Sequence, residues 1–292
     1  MVTITNVGGA PGGEAFLLET EGKTALVDSG FAYSAPRMIA NIKDVLRGRP
    51  LDYVLLTHSH YDHASGSAYV RAAWPDVTVA GSAYAKKILE KPSARAVMRE
   101  MNDNAARIAG ADGYEDRTDR LHIDLAMAEG DEIDLGPAKL RVIEAPGHTK
   151  CCIAFWCGEE KLLLSCETLG VDAGGGVVMP CYMVGYALAM ESVGKLAALG
   201  AEKILTPHRG LLEGEACAAF IENAVYWNTE FMRRAEEGMR AGKGEAELAR
   251  EFKELFYTPY MAEVQPEKAF DLNLSYTIPM LVREIDQGIG NK

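Results

Sequence analysis

The sequence predicts an α/β domain that continues into an all-helical C-terminal extension. In the first 213 residues, short apolar runs of strand length alternate with segments whose apolar residues recur at helical spacing. From Gly214 onward the strand-like runs disappear and amphipathic helical patterns continue alone. We therefore expect one domain over residues 1–213, with a helical insertion at about 82–120, and a helical extension over residues 214–292.

Strands are predicted where apolar and β-branched runs lie between turn residues. They cover residues 15–19, 24–27, 52–57, 77–80, 139–144, 152–157, 161–165 and 203–205. Helices are predicted at residues 36–46, 82–108 and 187–199 in the domain, and at 214–237, 245–256 and 267–285 in the extension. Pro92 is expected to break the second helix, and Pro279 to kink or restart the last one. The extension is interpreted as a packing appendage, or as a cap or dimerisation element near the site.

The composition is that of an ordinary globular protein, with 48% hydrophobic and 25% charged residues. The 42 acidic and 30 basic residues give a net charge of −12, which repels nucleic acid and anionic membranes on average. We therefore expect a small-molecule partner, no nucleic acid and no membrane, with a homodimer as a further expectation. Residues 1–7 lack the features of a secretory signal, so the cytoplasm is the expected compartment. The six cysteines form no CxxC pair and are expected to be reduced.

Three imidazoles and a carboxylate lie within six residues, directly after the predicted strand at 52–57. The segment reads His58-Ser-His60-Tyr-Asp62-His63. In an extended segment, His58 and His60 point to the same side, and the following turn can bring Asp62 and His63 toward a second position. Imidazole and carboxylate groups are the ligands that zinc, iron and manganese prefer. The segment therefore predicts a metal site.

Two further histidines follow predicted strands. His148 lies in Ala-Pro-Gly-His-Thr after the strand at 139–144, and His208 lies in Thr-Pro-His-Arg-Gly after the strand at 203–205. Ligands of α/β sheets gather outside the carboxyl ends of strands, so both histidines are candidates for the same site.

These motifs resemble those of the metallo-β-lactamase superfamily. The HxHxDH signature at residues 58–63 is supported by Val27-Asp28-Ser29-Gly30 upstream and by the two later histidine motifs, in the order that the family shows. The resemblance implies an αββα metallo-β-lactamase-like sandwich with two divalent metal ions. Zinc is the first expectation, and iron or manganese are alternatives. Asp28 resembles an aspartate of the family that supports the site structurally.

The resemblance also implies the ligand sets. One metal is expected to be held by His58, His60 and His148, and the second by Asp62, His63 and His208. Asp62 is in addition the expected catalytic residue, which orients the nucleophile or takes up a proton.

One position departs from the family pattern. Where the family places a bridging aspartate before Thr-Leu, this sequence has Glu167, preceded by Cys166 and followed by Thr168 and Leu169. A glutamate reaches one methylene further, so Glu167 is expected to bridge the two metals. Binding of Glu167 to one metal alone, or a thiolate ligand from Cys166, are the alternatives.

The resemblance implies a dinuclear metal-dependent hydrolase that uses a metal-bound hydroxide on an ester, thioester, lactone or phosphodiester substrate. Two alternatives stay open. One is an iron-dependent redox enzyme of the same fold, and the other is a non-catalytic signalling or binding protein with an intact metal site. The sequence does not distinguish among the substrates.

Overall fold

The computed structural model describes residues 1–111 and 113–290, so residue 112 of the predicted insertion and residues 291–292 of the predicted extension lie outside the described residues. By packing, the chain divides into a first unit of residues 1–144 and 153–165 and a second unit of residues 145–152 and 166–292. This division cuts the chain at other positions than the predicted boundary at residues 213 and 214, which stays a prediction.

The first unit contains a six-stranded sheet in which β1, β2 and β3 are antiparallel and β3 to β6 are parallel. Strand β4 is hydrogen-bonded to β3 on one edge and to β5 on the other, so its backbone is covered on both edges. The strands are β1 Thr3–Asn6, β2 Phe16–Glu19, β3 Thr24–Val27, β4 Tyr53–Leu55, β5 Thr78–Ser82 and β6 Leu125–Met127.

Helices connect the parallel strands, as parallel pairing requires a crossover. They are α1 Ala35–Leu46, α2 Tyr61–Ala64, α3 Ser67–Ala73, α4 Ala83–Leu89 and α5 Pro92–Ile108. The first helix buries Met38, Ile42 and Leu46, the spacing by which it was predicted. The predicted break at Pro92 is confirmed: α5 begins there, because proline fits the first turn of a helix but not its interior.

A second sheet of the first unit is antiparallel, with neighbours in the order β7, β8, β9 and β10. These strands are β7 Glu132–Asp134, β8 Lys139–Glu144, β9 Ile153–Cys157 and β10 Leu162–Leu164. Along β8 the buried Leu140 and Val142 alternate with the exposed Lys139 and Arg141. This alternation is typical of an antiparallel sheet with one face on the core.

The second unit is mostly helical and has two β-hairpins. The strands are β11 Val171–Gly174, β12 Val177–Met179, β13 Lys203–Thr206 and β14 Gly210–Glu213; the helices are α6 Tyr186–Ala197, α7 Gly214–Arg240, α8 Glu245–Phe256, α9 Pro259–Ala262 and α10 Glu267–Asp286. Its core is rich in phenylalanine, with Phe231, Phe252, Phe256 and Phe270 all buried. Over residues 1–111 and 113–290, every helix is too short or too polar to cross a membrane.

The last helix is continuous through Pro279, so of the two predicted alternatives the restart does not occur and the kink stays a prediction. Ile278, Met280 and Leu281 beside the proline are buried in the core of the second unit. Their packing outweighs the one backbone hydrogen bond that proline removes from a helix.

Gly66, the residue before α3, is expected to tolerate no side chain. A Cβ atom there would lie 1.8 Å from the carbonyl oxygen of Ser29, although the backbone of Gly66 is in the ordinary helical region. We expect Gly66→Ala to lower the free energy of unfolding by about 3 kcal/mol through overpacking. The matched control is Gly194→Ala inside α6, where the added Cβ meets open space and should stabilise by up to about 1 kcal/mol. Urea unfolding of both variants measures the difference; equal effects would contradict this explanation.

Candidate metal centre

The histidine motif occupies the turn between β4 and α2. β4 ends at Leu55 and α2 begins at Tyr61, and His60 lies at the N-cap of the helix in an extended conformation. The carbonyl of His60 accepts hydrogen bonds from the backbone amides of His63 and Ala64 at 3.1 and 2.9 Å. The first turn of α2 thereby turns Asp62 and His63 back toward the end of the strand.

The first unit brings the four side chains of this motif together. The ring of His58 lies 4.7 Å from the ring of His60 and 4.1 Å from the ring of His63, between centroids. The Asp62 carboxylate lies 3.6 Å from the Nε2 atom of His63. His58 and His63 are almost fully buried, whereas His60 and Asp62 are partly exposed. The predicted clustering of this motif is therefore present within the first unit.

Asp28 holds two residues of this region in place, Thr57 and His63. Its carboxylate accepts hydrogen bonds from the backbone amide and the hydroxyl of Thr57, both at 2.8 Å, and lies 2.9 Å from Nδ1 of His63. Because an ionised carboxylate only accepts, His63 carries its proton on Nδ1 and presents the Nε2 lone pair. Asp28 has a φ of +54°, a conformation in which aspartate is among the more tolerated residues.

His58 is oriented through the same aspartate. Its Nδ1 atom lies 3.1 Å from the hydroxyl oxygen of Thr57, whose proton is directed to Asp28. The hydroxyl oxygen can then accept from the Nδ1–H of His58. His58 and His63 thus share one tautomer, with Nε2 as the ligand atom.

The second unit places Glu167 between two histidines. Its Oε2 atom lies 2.9 Å from Nε2 of His148, and its Oε1 atom lies 3.0 Å from Nε2 of His208. All three residues are buried. Both nitrogen–oxygen distances are those of hydrogen bonds, and they lie a few tenths of an ångström below the roughly 3.3 Å between two ligand atoms of one tetrahedral zinc ion. In this position, Glu167 would be able to give one oxygen to each of two metal ions.

The ring of His148 is held by a backbone carbonyl. Its Nδ1 atom lies 2.7 Å from the carbonyl oxygen of Cys181. A carbonyl only accepts, so His148 also carries its proton on Nδ1 and presents Nε2 as the ligand atom. Three of the five candidate histidines therefore have the ring orientation of metal ligands fixed by a neighbouring group.

The cysteines near these ligands are buried and make other contacts. Burial raises the pKa of the Cys181 thiol well above its usual range, and the neighbouring Glu167 carboxylate raises it further. A hydrogen bond from the Cys152 thiol lowers the pKa of Cys166. The charge of His148 lowers the pKa of Cys166 as well, but only Glu167 has oxygens at 2.9 and 3.0 Å from the Nε2 atoms of His148 and His208, so these distances favour a carboxylate ligand over the thiolate alternative.

The donor set matches divalent transition metals. The candidates comprise five imidazoles and two carboxylates, and for His58, His63 and His148 the acceptor beside Nδ1 assigns the proton to that atom and leaves Nε2 as the ligand atom. Imidazole and carboxylate donors of this kind suit zinc, iron and manganese. The chemistry of the residues present therefore fits the predicted metals.

Several supporting groups escape sequence reasoning. Thr57 is one threonine among many, and the Cys181 carbonyl belongs to the backbone. Asn102 offered a signal, because it is a polar residue on the apolar face of the helix predicted at 82–108. Asn102 is fully buried. It accepts a hydrogen bond from the amide of Ala32 at 2.9 Å and donates one to the hydroxyl of Ser65 at 2.8 Å. These bonds connect α5 to Ser65, the residue that follows α2.

Comparison with known proteins places this chain in a family. The family model of the metallo-beta-lactamase superfamily matches residues 8–208. The chain is 28% identical over 250 residues to a hydroxyacylglutathione hydrolase of Methylococcus capsulatus, covering 84% of this chain and 80% of that protein. It is 31% identical over 159 residues to a protein of the same name from Rhodospirillum rubrum, covering 54% of this chain and 48% of that protein, and so spans about half the length of that relative.

A solved structure agrees with the fold. The metallo-beta-lactamase family protein TTHA1429 of Thermus thermophilus matches with a TM-score of 0.63 and 20% identity, covering 98% of this chain and 94% of that one. At this identity the likeness shows the fold alone. It confirms the predicted fold class, an α/β sandwich with a C-terminal helical extension. Because the family model matches more than half of its length, the chain belongs to the metallo-β-lactamase superfamily.

Proposed function

We propose that this protein is a dinuclear metal-dependent hydrolase of small-molecule thioesters. The observation that carries the proposal is the Glu167 carboxylate, whose two oxygens face the Nε2 atoms of two different histidines. A buried carboxylate with one oxygen at each of two imidazoles can be shared by two metal ions. This supports the role of Glu167 as the bridging ligand.

The proposed ligands follow the family pattern. One ion is assigned to His58, His60 and His148, and the other to Asp62, His63 and His208, with Glu167 shared by both. When bound, the two ions supply Lewis acidity that ionises water near neutral pH and stabilises negative charge on a substrate oxygen. Zinc is the first expectation, with iron and manganese as alternatives.

The chain itself contributes positioning and proton transfer. Asp28 fixes the ring of His63 at 2.9 Å, and the Cys181 carbonyl fixes the ring of His148 at 2.7 Å. The carboxylate of Asp62 keeps partial exposure, so it can orient a water molecule or accept its proton. The cysteines are buried, which argues against a cysteine nucleophile and favours direct attack by water.

The relatives narrow the substrate class. Both matched relatives are named hydroxyacylglutathione hydrolase, and a hydroxyacylglutathione is a thioester. A small thioester is also compatible with the net charge of −12, which disfavours nucleic-acid substrates. The six cysteines are all present as thiols in the structure, which favours a reducing compartment such as the cytoplasm. A homodimer stays a prediction.

Hydrolysis of a substrate panel tests the proposal. The protein is purified, stripped with a chelator, reloaded with zinc, iron or manganese, and assayed with a thioester, a lactone, a phosphodiester and a β-lactam. We expect metal-dependent thioester hydrolysis, at least about tenfold faster than that of any other class. His208→Ala should abolish it, whereas the matched control His122→Ala, at an exposed histidine outside the donor sets, should not. Oxygen consumption by the iron form would instead support the redox alternative, and tight metal binding without turnover would support a binding protein.

A further inference from the structure

The carbonyl that orients His148 belongs to a segment without regular secondary structure. Residues 181–185 lie between β12 and α6, and their conformation is not set by a helix or a sheet. The position of the Cys181 carbonyl must therefore be set by the contacts of its neighbours. Two of these contacts are made with Gly147, the residue before His148. The amides of Met183 and Val184 donate hydrogen bonds to its carbonyl at 2.9 and 3.1 Å.

The hydroxyl of Tyr182 donates to the carbonyl oxygen of Asn228 in α7 at 3.3 Å, and further contacts come from the last helix of the chain. The hydroxyl of Thr277 in α10 donates a hydrogen bond of 3.1 Å to the carbonyl of Tyr182, the residue next to Cys181. Thr277 is 3% exposed and Tyr182 is fully buried, so water does not compete for this bond. The two residues are 95 positions apart in sequence.

The same helix fixes the far end of the segment. The Oε2 atom of Glu284 accepts a hydrogen bond of 2.7 Å from the amide of Tyr186, the first residue of α6. The N-cap position of α6 is Gly185, which has no side chain to satisfy this amide. A Cβ atom on Gly185 would lie only 3.0 Å from the other Glu284 oxygen, so the glycine admits the carboxylate. A carboxylate at a helix N-terminus is also favoured by the helix dipole.

We propose that Thr277 is a positioning residue for the metal ligand His148, and that Glu284 fixes the other end of the same segment. The path runs from α10 through the carbonyl of Tyr182 and the adjacent carbonyl of Cys181 to Nδ1 of His148. The C-terminal helix α10 thus has two roles: it packs in the core of the second unit, and it helps to orient a metal ligand. The inference rests on the proposed function only in treating His148 as a ligand.

The test uses Thr277→Val, which keeps the shape of the side chain and removes the hydroxyl. In the metal-free protein, the Nδ1–H proton of His148 is observed by NMR and assigned by its loss in His148→Ala. We expect this proton to exchange with water about tenfold faster in Thr277→Val. We also expect the metal dissociation constant, measured by chelator competition, to rise about tenfold, at the low end of the effect of groups that support a ligand.

Two controls separate positioning from general stability. Thr277→Ser keeps the donor and should restore both the exchange rate and the metal affinity. Ser275→Ala, at an exposed hydroxyl two residues away on the same helix, should change neither. All variants are compared at a temperature at which circular dichroism shows them folded. If Thr277→Val does not fold, Glu284→Ala at the half-buried end of the segment carries the same test.

The outcomes distinguish this inference from the proposed function. A folded Thr277→Val with wild-type proton exchange and metal affinity overturns the inference, and so does an equal effect in Ser275→Ala. A wild-type protein that binds no metal overturns the proposed function, while the exchange measurement still decides whether Thr277 orients His148.

Discussion

Replacing Glu167 by alanine is expected to remove at least one of the two metal ions and to lower kcat/KM by about 10³-fold, or about 4 kcal/mol of transition-state stabilisation. The reason is that Glu167 faces both His148 and His208, so its loss affects both positions together. The measurement combines metal content with steady-state kinetics of thioester hydrolysis.

Two further variants test whether the effect is specific to the length and position of the Glu167 side chain. Glu167→Asp keeps the charge but is one methylene shorter, so it should reach one histidine well and the other poorly, with an intermediate loss of about tenfold. Glu230→Ala removes another buried glutamate of the second unit, one that pairs with Arg233 and Arg234, and should keep both metals. Normal metal content and activity in Glu167→Ala would show that Glu167 is not the bridging ligand.

Replacing Asp28 by alanine is expected to lower the free energy of unfolding by about 3–5 kcal/mol, because it leaves the amide and hydroxyl of Thr57 and the Nδ1–H of His63 without their acceptor. The change should also weaken metal binding about 10–100-fold, since the ring of His63 loses its orientation. Urea unfolding and chelator competition measure the two effects.

Asp28→Asn separates the charge from the backbone conformation. Asparagine tolerates the φ of +54°, so this variant should recover part of the stability but not the full metal affinity. Asp52→Ala is the matched control, because Asp52 accepts a hydrogen bond from the amide of Thr24 at 2.8 Å away from the histidine motif. It should leave metal affinity unchanged. Equal losses of metal affinity in Asp52→Ala and Asp28→Ala would argue against a specific role of Asp28.

Elements with strong local signals were predicted well. The helix α8 and the strand β8 have the predicted bounds, since each has an uninterrupted apolar period between turn residues. The break between α4 and α5 follows from Pro92. By contrast, β1, β6 and β7 were missed, because strands of three or four residues with exposed positions carry little periodicity. The hairpin of β11 and β12 was also missed, since its turn consists of glycines that gave no apolar alternation.

The parts of the candidate site that consist of side-chain motifs could be predicted from the sequence. The parts in which a backbone carbonyl orients a ligand could not. The clustering of His58 with His60 and His63 follows from the spacing in the sequence. The meeting of Glu167 with His148 and His208 also agrees with the family order of motifs. The carbonyl of Cys181 could not be predicted, because every residue has a carbonyl and tertiary structure alone decides where it points. Thr277 lies about 130 residues from His148, and no sequence pattern around it predicts a contact with the segment next to that histidine.

Element-resolved metal analysis of the purified protein tests the central claim most directly. The protein is stripped, titrated with zinc, iron or manganese, and freed of unbound metal before measurement. The proposal predicts about two metal ions per chain for the preferred metal, about one or none in Glu167→Ala, and two in His122→Ala. A protein that keeps no metal after titration with all three would contradict the claim that these histidines and carboxylates form a metal centre.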